Sequence, residues 1–157
     1  MKNSPSSAGS PNSSLSPVSP PIHFFEYQER VRYSETDQMG VAHNKSYFEW
    51  FELGRTEFCR QAGLPYRDIE AQGIYLVVAE AHCRYHKPLH YDDPFLIRVG
   101  LSEASARKIV FSYEILAAGS GILLATGYTV HVPTNRRAEV CSLPPDLLSR
   151  IKAAGKP

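Results

Sequence analysis

The chain has 157 residues, 17 Lys+Arg against 16 Asp+Glu for a formal net charge of +1, and 43% hydrophobic side chains. That is enough for one domain with a sizeable core and short for two, and it gives no electrostatic ground for a nucleic-acid or polybasic-membrane partner. No run approaches the roughly 18 apolar residues of a membrane span, and Cys59, Cys83 and Cys141, scattered without a CxxC pair, build no disulfide framework, so a reducing cytoplasmic home is expected.

Residues 1–22 hold eight Ser and five Pro, with Lys2 the only charged side chain. Such a stretch buries too little apolar area to offset its ordering entropy and is expected to be a disordered tail. Leu15, Val18 and Ile22 stand alone between Ser and Pro, so it lacks the apolar core of a signal peptide. Residues 23–157 are then expected to form a single domain. Its first element is a half-exposed strand over 26–33, with Tyr27, Val31 and Tyr33 alternating against Gln28, Arg30 and Arg32. Residues 34–44 make a polar turn around Gly40.

From residue 46 to 62 the period becomes helical: Tyr47, Trp50, Phe51, Gly54 and Phe58 share one face. Ser46 with Glu49 fits a capping box, and Asn44 is a competing N-cap. Gly63 and Pro65 supply the stop, and a short turn spans 66–70. The remainder reads as strands over 74–85, 95–101, 109–115 and 122–132, the last two joined by a hairpin at Gly119-Ser120-Gly121. Pro144 opens a short helix over 145–152. The order is strand, long helix, then four strands in a meander, which is an α+β layer arrangement. One helix covers one face of a sheet whose edges stay unpaired, so a homodimer, or a tetramer of dimers, is expected.

The familiar signatures of serine hydrolases, P-loop enzymes, dinucleotide-binding folds and zinc proteases (GxSxG, GxxxxGK, GxGxxG, HExxH) are absent. His82, His86 and His90 are spaced by four, but in a β-rich segment interrupted by Pro88. Four strand residues span about 13 Å, too far for one zinc ion with bonds of ~2 Å. No metal site is expected.

The chemistry-bearing segment runs from Tyr33 to Asn44 (YSETDQMGVAHN) into Tyr47–Arg55. Asp37 sits in the turn before a helix whose first N–H groups are unpaired and lie at the positive end of the helix dipole. A carboxylate and an oxyanion-type donor can thus meet around one carbonyl. Asp and Thr before Gly are equally ordinary turn residues. The pattern Y-x-E-T-D-x-M-G-V-x-x-N-x-x-Y-x-x-W-F-E-x-G-R resembles the opening signature of the hotdog-fold acyl-CoA thioesterases of the 4-hydroxybenzoyl-CoA thioesterase family. The likeness continues through Gly73, Ile74, residues 77–85, Pro88 and Tyr91-Asp92-Asp93 to about Val132.

The resemblance implies an α+β hotdog fold, in which a curved antiparallel sheet wraps a long central helix and subunits dimerise through the sheet. It implies hydrolysis of an acyl-CoA thioester with no cofactor, coenzyme A entering only as part of the substrate. Asp37 matches the family's catalytic carboxylate, as general base or as nucleophile. Asn44 matches the position of the oxyanion N–H, and its side chain is placed to hold water or the thioester. His43 stands where Tyr or Trp is usual and Ser46 where Asn is common, which bears on the acyl pocket.

Tyr47 is both a core and a substrate-lining candidate. Arg107 and Lys108 fall in the turn that holds the coenzyme A phosphates in the family, with Arg136 and Arg137 a second pair. Glu52 and Arg55, at i,i+3, are expected to pair with each other or with neighbours. His82 is expected to be structural, with general acid the alternative. Substrates compatible with the family are small aromatic and short or medium aliphatic acyl groups, on coenzyme A or on acyl carrier protein. The rival readings are a non-hydrolytic acyl-CoA binding module of the same fold and an enoyl-thioester hydratase; the motif of the latter is not found.

Overall fold

The computed structural model describes residues 18–21 and 23–157. The expected tail, residues 18–21 apart, lies outside the described residues. Pro21 lies against Gly100, where an added Cβ would also meet the carbonyl of His23.

Five antiparallel strands form one sheet: β1 (Phe25–Arg30), β2 (Tyr75–Tyr85), β3 (Pro94–Ala104), β4 (Ile109–Ala117) and β5 (Leu123–Thr134), in the spatial order β1-β3-β4-β5-β2. The alternation that predicted β3 and β4 is the alternation of burial. Phe95, Ile97 and Val99, and Ile109, Phe111, Tyr113 and Ile115, all face the core. The opposite face carries polar pairs such as Arg98 with Glu114 at 2.7 Å and Ser102 with Ser112 at 2.6 Å.

The long helix α1 (Asn44–Gln61) lies across the apolar face. Its buried stripe contains all five residues read at helical spacing, and adds Ser46, Arg55 and Cys59. Phe51 stacks on Tyr113 with ring centroids 4.3 Å apart, and Trp50 tilts onto Phe95 at 4.4 Å. Fully burying an aromatic side chain of this size stabilises by roughly 1.5–3 kcal/mol. The helix sits this close because of two glycines. A Cβ at Gly54 would lie 2.7 Å from Ile97 Cγ2, and one at Gly127 would collide with the Phe51 ring. Gly63, at φ 69°, turns the chain out of the helix as expected.

Four local expectations need correction. The first strand stops at Arg30 and residues Tyr33–Glu35 form a 3-10 turn, because Val31 is already bonded to the 92–93 loop through both its N–H and its carbonyl. The N-cap of α1 is His43, whose Nδ1 accepts the Lys45 N–H at 3.2 Å. Ser46 is buried instead, its hydroxyl donating to the Glu35 carbonyl. Residues 66–70 belong to a helix, α2 (Tyr66–Ala71). Finally, only β3, β4 and β5 meander: β2 pairs with β5 and forms an edge. The 86–93 segment therefore crosses from that edge to β3, held by Leu89, which is 2% exposed.

Arg55 does not pair with Glu52. Its guanidinium donates to the hydroxyls of Tyr66 at 2.8 Å and Tyr113 at 3.3 Å, and Tyr113 also shares a 2.8 Å bond with Thr129. The last helix, α3 (Pro145–Ala154), buries Leu147 and Ile151. An apolar void of about 10 Å³ under the C-terminal half of α1 is at the lower limit for a single water and too small for a ligand.

Candidate active site

Three segments converge at the N-terminal end of α1: the 36–43 turn, the first turn of the helix, and the end of β2 with its crossover. Hydrogen bonds between backbones fix them. The Ala42 N–H donates to the Leu89 carbonyl at 2.7 Å and Val41 bridges to His90. Between them opens a cleft of about 410 Å³ lined by Asp37, His43, Asn44, Tyr47, Tyr85 and Lys87, among others.

Asp37 opens a tight hairpin. Its N–H donates to the Val41 carbonyl at 2.9 Å, and its carbonyl accepts the Gly40 N–H at 3.0 Å. Gly40 has φ 77°, a conformation that costs glycine little. The side chain joins in: Oδ1 accepts the Met39 N–H at 2.8 Å and, more weakly, that of Val41 at 3.4 Å. This bond fixes the carboxylate plane. Oδ2 has no hydrogen-bond partner among the described residues.

At the helix start the first N–H groups are apportioned one by one. That of His43 donates to the Glu35 carbonyl at 2.7 Å and that of Ser46 to the His43 carbonyl at 2.9 Å. Lys45 N–H is shared by His43 Nδ1 and Asn44 Oδ1. The main-chain N–H of Asn44 is left with no acceptor among the described residues, at the positive end of an 18-residue helix. Because His43 Nδ1 accepts, the neutral ring carries its proton on Nε2.

Tyr47 and Tyr85 form the inner wall, meeting edge to face at 4.9 Å. The Tyr85 hydroxyl donates to the Asn44 carbonyl at 3.2 Å, tying the helix start to β2. Burial pushes both phenols up to about 12, so each is a protonated donor in neutral solution. Cys83, beside them, is pushed up to about 11 by burial and stays a thiol.

Residues 31–151 match the thioesterase-like superfamily. The chain belongs to that family. An Aquifex aeolicus (strain VF5) protein, provisionally named an esterase, is 36% identical over 82% of this chain and 98% of its own. A Bacillus subtilis (strain 168) protein, YneP, provisionally named an acyl-CoA thioesterase, is 34% identical over 60% of this chain and 68% of its own. The crystal structure of a 1,4-dihydroxy-2-naphthoyl-CoA thioesterase from Synechocystis superposes with a TM-score of 0.77 at 25% identity, covering 86% of this chain and all of that one. The fold is the hotdog fold, and the protein is a thioester hydrolase.

In this thioesterase Asp37, His43, Asn44 and Tyr47 share the cleft, while Arg107 and Lys108 do not reach it within one chain. They lie in the β3–β4 turn. β3 begins beside the crossover and runs eleven residues away from it, about 33 Å. Lys108 pairs with Glu103 at 2.8 Å and Arg107 is exposed. Arg137 pairs with Glu139, and Arg136 lies against Gly73. The three histidines are dispersed. His82 stacks on Tyr128 on the outer face, His86 bonds Thr126, and His90 pairs with Asp93. Among the described residues there is no cluster of three or more metal-ligating side chains, and no helix is long and apolar enough to cross a membrane. Sequence reasoning missed Tyr85 and Lys87 as cleft residues. Tyr85 shares the inner face of β2 with Cys83, an alternation visible in the sequence once the strand's edge is known.

Proposed function

We propose that this thioesterase hydrolyses a small aromatic or short to medium aliphatic acyl-CoA, with Asp37 and the Asn44 main-chain N–H as its working groups. The observation that carries the reading is their shared cleft. One carboxylate oxygen is locked by the turn, the other is unoccupied among the described residues, and the helix's unpaired N–H stands at the same opening. A thioester carbonyl bound there places its oxygen on the Asn44 N–H. As general base, Asp37 Oδ2 takes a proton from water and the hydroxide adds to the carbonyl carbon. The oxyanion collapses, the C–S bond breaks, and the coenzyme A thiolate takes up the proton. As nucleophile, Oδ2 adds directly and a mixed anhydride is hydrolysed in a second step. In a single turnover in ¹⁸O-water, label in the Asp37 carboxylate marks the second route, because water attacking the aspartyl carbon of the anhydride is what puts it there.

The small aromatic class is favoured by the inner wall, where Tyr47 and Tyr85 close the cleft against Trp50 and the core. A thiol-release assay over acyl-CoA and acyl carrier protein thioesters tests the substrate. Benzoyl- or naphthoyl-type and short aliphatic coenzyme A esters should turn over faster than long-chain ones. A preference for palmitoyl chains or for carrier-protein thioesters would refute the assignment.

We further infer that the active unit is a homodimer paired along β2. This edge strand is eleven residues long and leaves Tyr75, Val77, Val78 and Tyr85 36–47% exposed, an edge that soluble proteins ordinarily cover. An antiparallel β2–β2 pairing sets the far end of one sheet beside the cleft of the other. The β3–β4 turn lies at that far end, so Arg107 and Lys108 of the partner subunit come within about 15 Å of this cleft laterally, three strand spacings. That is a reach suited to the phosphates of an extended coenzyme A.

A further inference from the structure

The cleft does not hold itself open. Its two working groups sit on different segments, a hairpin and a helix, and one residue, Glu35, ties them through both its main-chain carbonyl and its buried carboxylate. Glu35 is 6% exposed, at the end of the 3-10 turn two residues before Asp37. Its Oε2 accepts the Arg32 main-chain N–H at 2.8 Å. Its Oε1 accepts the Trp50 indole N–H at 3.0 Å and an Arg32 guanidinium N–H at 3.2 Å. A buried carboxylate is costly unless such donors satisfy it, so the site of Glu35 is built for it. Its own carbonyl accepts the His43 N–H and the Ser46 hydroxyl. Glu35 thus holds the N-cap His43 and Ser46 through its carbonyl and Trp50 of α1 through its carboxylate, while its chain neighbours carry Asp37. By occupying the His43 N–H it also makes that of Asn44 the first one left for a ligand.

We propose that Glu35 is the positioning residue of the reaction: it touches no substrate, and it sets the distance between the Asp37 carboxylate and the Asn44 N–H. The proposal rests on the functional reading above. Misplacing reacting groups by about 1 Å can cost 10²-fold in rate.

The test uses Glu35→Gln, which keeps an acceptor for one donor and turns an NH₂ toward another. Leu147→Ala, in the core of α3 and remote from the cleft, is the comparison for a purely structural loss. Thiol release should show kcat for Glu35→Gln falling about 10- to 100-fold with KM within twofold of wild type. Leu147→Ala should lower Tm while keeping kcat within threefold. In hydrogen exchange the Met39 amide, held by Asp37, should exchange faster in Glu35→Gln and unchanged in Leu147→Ala. Combining Glu35→Gln with Trp50→Phe should cost less than the product of the two losses, since both break one link. Wild-type kcat and wild-type Met39 exchange in a folded Glu35→Gln would overturn the proposal, as would equal kcat losses in Glu35→Gln and Leu147→Ala. Full activity in Asp37→Asn would refute the functional reading, and the exchange measurement would still decide whether Glu35 holds the turn.

Discussion

The proposed oxyanion donor, the Asn44 main-chain N–H, can be deleted without breaking the helix that presents it. Asn44 is the first residue of α1, the position where proline is favoured because its missing N–H would be unpaired anyway. The preceding His43 has φ −65° and ψ 141°, the extended conformation that a residue before proline requires. Asn44→Pro therefore removes the main-chain hydrogen together with the Asn44 side-chain amide and leaves the rest of the helix start in place. The lost Asn44 Oδ1 bond to Lys45 is backed up by His43 Nδ1, and the Tyr85 bond goes to the Asn44 carbonyl, which proline retains. Stability should change by about 1 kcal/mol or less. Loss of one oxyanion donor costs about 2.7–4 kcal/mol of transition-state stabilisation, or 10²- to 10³-fold in kcat. Asn44→Ala, which loses the side chain and keeps the N–H, is assayed alongside. The ratio of the two kcat values isolates the main-chain contribution. If Asn44→Pro folds with the wild-type melting curve and its kcat lies within threefold of that of Asn44→Ala, the carbonyl is polarised elsewhere and the reasoning fails.

Two further outcomes follow from other parts of the fold. His131 is fully buried, 2.8 Å from the Thr129 hydroxyl, and its imidazole is pushed down to about 4, first by burial and second by the Arg55 charge, with the Leu76 backbone opposing them. The unfolded chain takes that proton near 6.5, so the contribution is complete above pH 6.5 and lost as pH falls to 4, about 3 kcal/mol in all. Urea melts at fixed protein concentration should lose more stability between pH 7 and 4.5 in wild type than in His131→Leu. Equal losses would refute the assignment. Separately, Val77→Lys puts a charge on the exposed β2 edge. Sedimentation equilibrium at micromolar concentration should show a wild-type dimer and a monomeric variant, and a monomeric wild type would reject the β2 interface.

What could be read from the sequence is what local periodicity controls. The faces of α1, β3 and β4 follow from residues three or four, or two, apart, and Gly63 ends the helix through its own backbone freedom. That Asp37 and Asn44 share one cleft could be anticipated because a turn and a helix start are local, and their spacing matched a family signature. The location of β2 was not. A strand's alternation states that it is a strand and is silent about its neighbour, which here depends on Leu89 anchoring the crossover. The cap was missed for a tertiary reason: the Ser46 hydroxyl is taken by Glu35, and a histidine nitrogen replaces it. The burial of Glu35 and the Tyr66 and Tyr113 partners of Arg55 could not be read from the sequence, because only the fold supplies the indole and phenol groups that satisfy them. The β3–β4 basic turn was legible as a turn, and its distance from the cleft became visible only when the strand direction was known.

Asp37→Asn is nearly isosteric, and its Oδ1 can still accept the Met39 N–H, so the hairpin should survive. What disappears is the oxygen proposed to act as base or nucleophile. With the acyl-CoA that wild type turns over fastest, kcat should fall at least about 10²-fold with an unchanged melting curve. A correctly folded Asp37→Asn that releases thiol at the wild-type rate would contradict the account at its centre.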